Sequence, residues 1–278
     1  LLSQIKNDIE FNRGLYNLID ALGKISVSQY YMLEKKTRAF DKIYVGLEEL
    51  FSMLDASRAH SPLVSAQNRP MGVIAVTSDS GLLGGLNMQV MNAAAKDVSE
   101  HGARLIVIGE KGRYYAQENN LSCASFEGIH DDARFSQAQQ LRDYILNEVL
   151  SLRIGAVKII YAYSVSVVSQ KVQALTLLPI AAREGASGIP TDMIIESSRN
   201  DIVEYLVYTL LGNKFYEIFG LARLAELAAR FMHLENSKTK IDEFNKQLKL
   251  QYFRQKHEMA DRTMRELFSA RMAFRQGS

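Results

Sequence analysis

Residues 5 to 54 carry an unbroken heptad seam: Ile5, Ile9, Asn12, Tyr16, Ile19, Gly23, Ser26, Tyr30, Leu33, Thr37, Phe40, Tyr44, Leu47, Phe51 and Leu54 alternate steps of four and three. An apolar period of about 3.5 residues belongs to helices that supercoil around a partner. Asn12, Gly23, Ser26 and Thr37 thin the seam, as expected where backbones approach closely or where register must be chosen. A second seam stands at the other end of the chain. Residues 221–276 contain no glycine or proline, enough for a helix of roughly 80 Å at 1.5 Å per residue. Leu224, Leu227, Phe231, Leu234, Ile241, Leu248, Tyr252 and Met259 repeat along it, with Lys238, Asn245 and Gln255 at the polar gaps. Two helices of matched period at opposite chain ends predict an antiparallel, left-handed coiled coil, and the middle must then be an insert at one end of a rod.

That middle reads as α/β. All four prolines, Pro62, Pro70, Pro179 and Pro190, fall in it. Residues 72–77 and 104–109 read as continuous apolar strands, each followed by a helix, over 86–100 and 110–119. Residues 121–125 predict a short third strand, 136–152 a helix with seam Ala138, Leu141, Ile145 and Val149, and 156–165 a fourth strand. Residues 168–178 follow so closely that they must pair antiparallel with the fourth. The expected architecture is a Rossmann-like layer inserted between coiled-coil helices, divided as residues 1–60, 70–200 and 201–278. No apolar run approaches the ~20 residues of a membrane span. With 33 basic and 31 acidic residues the chain lacks the overall basic field that nucleic acid attracts, although residues 221–278 hold 12 basic against 7 acidic side chains. Leu1 in place of a methionine predicts a trimmed start.

The run from Thr77 through Ser78, Asp79, Ser80, Gly81, Leu82, Leu83, Gly84, Gly85 and Leu86 to Asn87 sits where a first strand meets a first helix, the place for a phosphate cradle. It has neither the G-x-G-x-x-G spacing of dinucleotide sites nor the terminal Gly-Lys-Ser/Thr of nucleotide hydrolases. The favoured reading is a tight turn with close helix packing, Asp79 or Asn87 capping locally. A nucleophilic Ser78 or Ser80 would need a histidine base held by a third group, and His101 follows on the next helix. His60, His101, His130, His233 and His257 show no metal-ligand spacing, so no metal or other cofactor is expected. Cys123 has no partner for a disulfide and reads as a small hydrophobe in a strand. Arg230, set among Ala228, Ala229, Phe231 and Met232, requires a fixed partner.

Taken together, the two end helices, the α/β insert and the run Ser78 to Asn87 resemble the gamma subunit of the rotary ATP synthase. That family's form is Ser-Asp-Arg-Gly-Leu-Cys-Gly-Gly-Leu-Asn; Gly81, Gly84, Gly85, Leu86 and Asn87 match it, while Ser80 and Leu83 depart. Glu226, Ala228 and Arg230 fall on its Ser-Glu-x-Ala-x-Arg-Met pattern, and Leu248, Leu250 and Tyr252 on Glu-Leu-x-Leu-x-Tyr. The resemblance implies a central-stalk rotor with no catalytic residue of its own. It also implies partners: the alpha and beta subunits of a hexamer, the epsilon subunit and the membrane c-ring, at the cytoplasmic face of a bacterial inner membrane or, as the second choice, the matrix side of a mitochondrial one. By the same resemblance, residues 1–25 and 235–278 face the hexamer, and Arg254, Lys256, His257 and Asp261 carry the contacts. His257 and Asp261 replace the family's glutamine and threonine, which marks a divergent branch, sodium-coupled types included. Two other readings stay open: an enzyme or binding protein using the insert for a nucleotide or phosphate, and a coiled-coil scaffold outside energy metabolism.

Overall fold

The computed structural model describes residues 2–37, 61–65, 67–180 and 198–276. Helix α1 spans Leu2–Thr37. Its seam is real in burial: every member from Ile5 to Leu33 is buried or half-buried, whereas Phe11, Leu18 and Ile25 off the seam are more than half exposed. Phe40, Tyr44, Leu47, Phe51, Leu54 and His60 lie outside the described residues.

Five strands and three helices follow in the expected alternation. They are β1 (Met71–Val76), α2 (Leu86–His101), β2 (Arg104–Ile108), α3 (Glu110–Glu118), β3 (Cys123–Phe126), α4 (Arg134–Leu150), β4 (Ala156–Ser166) and β5 (Ser169–Leu178). The sheet order is β3-β2-β1-β4-β5. β1 pairs parallel with β2 and β4, β2 parallel with β3, and β4 antiparallel with β5. Chain direction across the sheet therefore reverses at β1, the strand from which successive crossovers leave on opposite sides.

Alternate residues of each strand feed opposite faces of the sheet. Ile74, Val76, Ile106, Ile108, Val157 and Ile159 enter one core with Leu141, Ile145 and Val149 of α4. Val73, Ala75, Leu105, Val107 and Ile160 enter the other with Val90, Met91 and Ala94 of α2. Both faces being covered explains why the central strands read as continuous apolar runs rather than alternating ones.

The last helix, α5, spans Arg199–Gln276 and is 78 residues long. It begins 22 residues before the glycine-free stretch that the sequence marks, passing through Gly212 and Gly220. Packing overrides the glycine penalty of about 1 kcal/mol. Val203, Val207, Phe215 and Ile218 are fully buried against the α4 side of the sheet, and a Cβ at Gly212 would come within 3.0 Å of Arg142 Nη1. Further along, Ala225 and Ala229 enter the second core.

Two compact units emerge: Leu1–Ile25 with His233–Ser278, and Ser26–Met232. In the first, Lys238 pairs with Asp20; in the second, Tyr30 and Leu33 cluster with Leu224, Leu227 and Ala228. The partner's number falls as the α1 number rises, so the coiled coil is antiparallel. Seam residues of α5 from Leu224 to Gln255 are buried or half-buried. Met259 is 58 % exposed; by that count Gln255 already stands opposite Leu2, where the described part of α1 starts.

Candidate functional site

The glycine run forms the loop from the carboxyl end of β1 to α2. Thr77 Oγ1 donates to Ile108 O at 2.6 Å and accepts from Gly112 N at 3.0 Å, tying the loop to β2 and α3. Asp79 Oδ1 accepts from Glu110 N at 2.8 Å and Gly128 N at 3.1 Å. Its carboxylate thus caps α3, whose own N-cap is Gly109, and favours the positive end of that helix dipole. A Cβ at Gly128 would sit 2.5 Å from that carboxylate, and one at Gly109, where φ is +97°, would meet Thr77 O at 2.6 Å. Asn87 Nδ2 donates to Ser78 Oγ at 2.9 Å, and its Oδ1 accepts from Ser78 N at 3.3 Å, closing the loop on itself. Gly84 has φ +62°, and Leu82 adopts φ 65° with half its side chain exposed. Leu82 and Met88 line a cleft of about 520 Å³ that also takes in Lys111 and Tyr114 of α3.

Both loop serines are engaged. Ser78 Oγ donates to Ser80 O at 2.8 Å. Ser80 Oγ donates to Glu226 Oε1 at 3.2 Å and accepts from Arg230 Nη2. Arg230 therefore has the partner its position required: Glu226 Oε1 lies 2.6 Å away, one turn earlier on α5. Glu226 is buried and also holds Arg223 at 2.7 Å, which in turn reaches Asp131 at 3.3 Å. Burial works against the Arg223 cation, but Glu226 and then Asp131 outweigh it, and its pKa ends above the ordinary value. Two arginines and two carboxylates thus fasten α5 to the glycine loop and to the segment before α4.

This arrangement bears on the phosphate-cradle reading. In open α/β sheets ligands enter beyond the carboxyl ends of the strands where strand order reverses, here between β1 and β4. That space is bounded by Val76, Thr77, Ser78 and Ala162 and roofed by Ala222 and Glu226 of α5, leaving about 20 Å³. The volume suits one water, and the roof presents a carboxylate where phosphate oxygens would go.

The far end of α5 is built differently. Arg254, Lys256, His257 and Asp261 are all exposed. Arg262 pairs with Glu266 at 3.0 Å one turn on. Met264, Leu267 and Phe268 are 69 %, 63 % and 71 % exposed, an apolar stripe on one face of the helix. Cys123 is half-buried in β3; burial raises its pKa against the opposing Arg113 charge, so the thiol stays protonated.

A helix pair at the chain ends, a mixed sheet with α5 across its mouth, and a loop of this sequence together narrow the relatives. The ATP synthase family model matches residues 1–273. The chain belongs to the ATP synthase gamma family. Among curated family members, the ATP synthase gamma chain of Desulfitobacterium hafniense is 25 % identical, covering 88 % of this chain and 90 % of the relative. That of an Anaeromyxobacter species is 25 % identical over 96 % of both. Among solved structures, a chain of the Euglena gracilis mitochondrial ATP synthase (OSCP/F1/c-ring) superposes with a TM-score of 0.71 at 16 % identity, covering 99 % of this chain and 95 % of that one. A chain of the Tetrahymena thermophila central stalk and c-ring gives 0.63 at 15 % identity over 79 % and 99 %.

Sequence reasoning missed the pair Arg134 and Arg142 of α4, both buried, whose guanidinium groups stack 4.3 and 3.5 Å from the rings of Tyr216 and Tyr208. The signal was an eight-residue spacing shared by the two arginines and, in reverse, the two tyrosines.

Proposed function

We propose that this chain is the central-stalk rotor of a rotary ATP synthase, coupling ion flow through a membrane ring to ATP synthesis or hydrolysis on an alpha/beta hexamer. It contributes no catalytic group; that chemistry belongs to the partner subunits. The observation that carries the reading is α5: one uninterrupted helix of 78 residues supplies a wall of the α/β core and a strand of the coiled coil. A torque-bearing part needs long helices free of proline, the commonest cause of a sharp kink, and α5 holds none. The exposed stripe of Met264, Leu267 and Phe268, with Arg254, Lys256, His257 and Asp261 nearby in sequence, supports assigning the contacts with the hexamer to this end. The epsilon subunit and the c-ring are then partners of the α/β unit. Among the described residues no helix is long and apolar enough to cross a membrane, and attachment at the cytoplasmic face of a bacterial inner membrane would come through the ring. The four polar residues of the far end are read as contacts with the hexamer, and His257 and Asp261 depart from the family pattern there.

The test is co-expression with alpha and beta subunits, a pull-down, and ATP hydrolysis assayed with and without this chain. A stable complex whose turnover depends on the chain is expected, weakened when Arg254, Lys256, His257 and Asp261 are replaced together by alanine. Failure to co-assemble overturns the rotor reading. Self-association of the purified chain by light scattering, in its place, would favour a scaffold.

A further inference from the structure

A heptad seam buries its apolar residues almost equally well in several registers, because sliding one helix by a turn or a heptad sets a new apolar residue opposite each old one. Something other than apolar burial must choose. Lys238 stands at a seam position of α5. Its ammonium lies 2.8 Å from Asp20 Oδ1 and 2.8 Å from Glu235 Oε1, and 5.7 Å from the centroid of the Tyr16 ring. Lys24 holds the other oxygen, Asp20 Oδ2, at 2.7 Å. The level of Lys238 on α1 is therefore between Tyr16 and Asp20. Seven residues further along α5, and seven back along α1, Asn245 comes level with residues 9–13, where the half-buried seam residue Asn12 sits. Asn245 Oδ1 is buried with no hydrogen-bond donor to it. It is the acceptor an asparagine amide directly across the seam would satisfy by a rotamer change.

We propose that Asn12 and Asn245 form a polar layer which, with the Asp20–Lys238 pair two turns away, sets the register of the coiled coil and resists sliding of α1 along α5. A slide of one turn in either direction sets Asn245 against Tyr16 or Ile9, and a slide of one heptad sets it against Ile19 or Ile5. Every slipped register buries an amide against an apolar side chain or a ring, and all but the one-turn slide toward Tyr16 also draw Lys238 away from Asp20. Twisting or bending a two-helix rod requires its strands to slide past one another, so a register lock is also a source of stiffness. This inference concerns the rod and stands independently of the partners.

The test is disulfide trapping in the full-length chain, with Cys123→Ala as background. Ile9→Cys with Leu248→Cys reports the native register, and Ile9→Cys with Tyr252→Cys reports a slide of one turn, about 5.4 Å. With the asparagines present, the slipped pair should oxidise at least roughly tenfold more slowly than the native one. In Asn12→Leu/Asn245→Leu the slipped pair should gain about that factor, while the melting temperature holds or rises because both partners of a buried polar pair give way together to apolar side chains. A slipped pair that stays as slow as in the parent, or a melting temperature that drops, overturns the proposal. The charge swap of the whole network, Asp20→Lys/Lys24→Glu with Glu235→Lys/Lys238→Asp, supplies a second arm. It should restore the native trapping that Asp20→Lys alone reduces, and no restoration likewise counts against the lock.

Discussion

Asp20 shows how far a single side chain can be read before its surroundings are known. The sequence places it beside the seam residue Ile19 but offers no reason to couple it to a lysine 218 positions away. In the fold, hydrogen bonds from Lys238 first and Lys24 second hold its carboxyl down to about 2, against an ordinary 3.8. The same contacts, Asp20 before Glu235, push Lys238 above its ordinary value. A lowered folded-state pKa gives stabilisation that is complete above the unfolded value and lost as pH falls through the folded one. The melting-temperature gap between the parent chain and Asp20→Asn should therefore be constant from neutral pH down to about 5, narrow below about 4 and close near 2. A gap unchanged at pH 2 would show that Asp20 acts through shape and not charge. Arg230 was more legible: a cation in an alanine-rich stretch had to be paired, and Glu226, one turn back, was the carboxylate its helix could offer.

At the scale of elements, legibility followed periodicity. Both seams repeat every 3.5 residues over many turns, and their burial matches residue by residue from Ile5 to Leu33 and from Leu224 to Gln255. The first 22 residues of α5 show no seam, since Gly212 and Gly220 interrupt the local signal, and the sequence, which assigns 201–278 to the coiled coil, does not show that they pack against the sheet instead. The contact of α4 with α5 was likewise invisible, since it runs through Arg134 on Tyr216 and Arg142 on Tyr208 and not through an apolar stripe alone. Arg142 also reaches Asp143 at 2.8 Å, which offsets part of the burial of its charge. A double-mutant cycle of Arg142→Met and Tyr208→Leu, read by urea unfolding, should give a coupling energy of about 1–2 kcal/mol. A value near zero would mean that the stack only fills space.

For the whole molecule, the long helix decides what the α/β layer can do. With Ala222 and Glu226 closing the space between β1 and β4 to about 20 Å³, the isolated chain should bind neither ATP nor ADP by titration calorimetry at millimolar concentration. Micromolar binding would revive the reading of the insert as a nucleotide site. Sequence alone determined the order of strands and helices, the two seams and the tight loop from Ser78 to Asn87, because each is a local pattern of spacing and turn chemistry that few other conformations satisfy. Tertiary structure decided which distant partner each charge finds, that the start of α5 packs on the sheet, and that the crevice is filled. Those outcomes depend on residues far apart in the chain arriving at one place, which no periodicity along a single segment encodes.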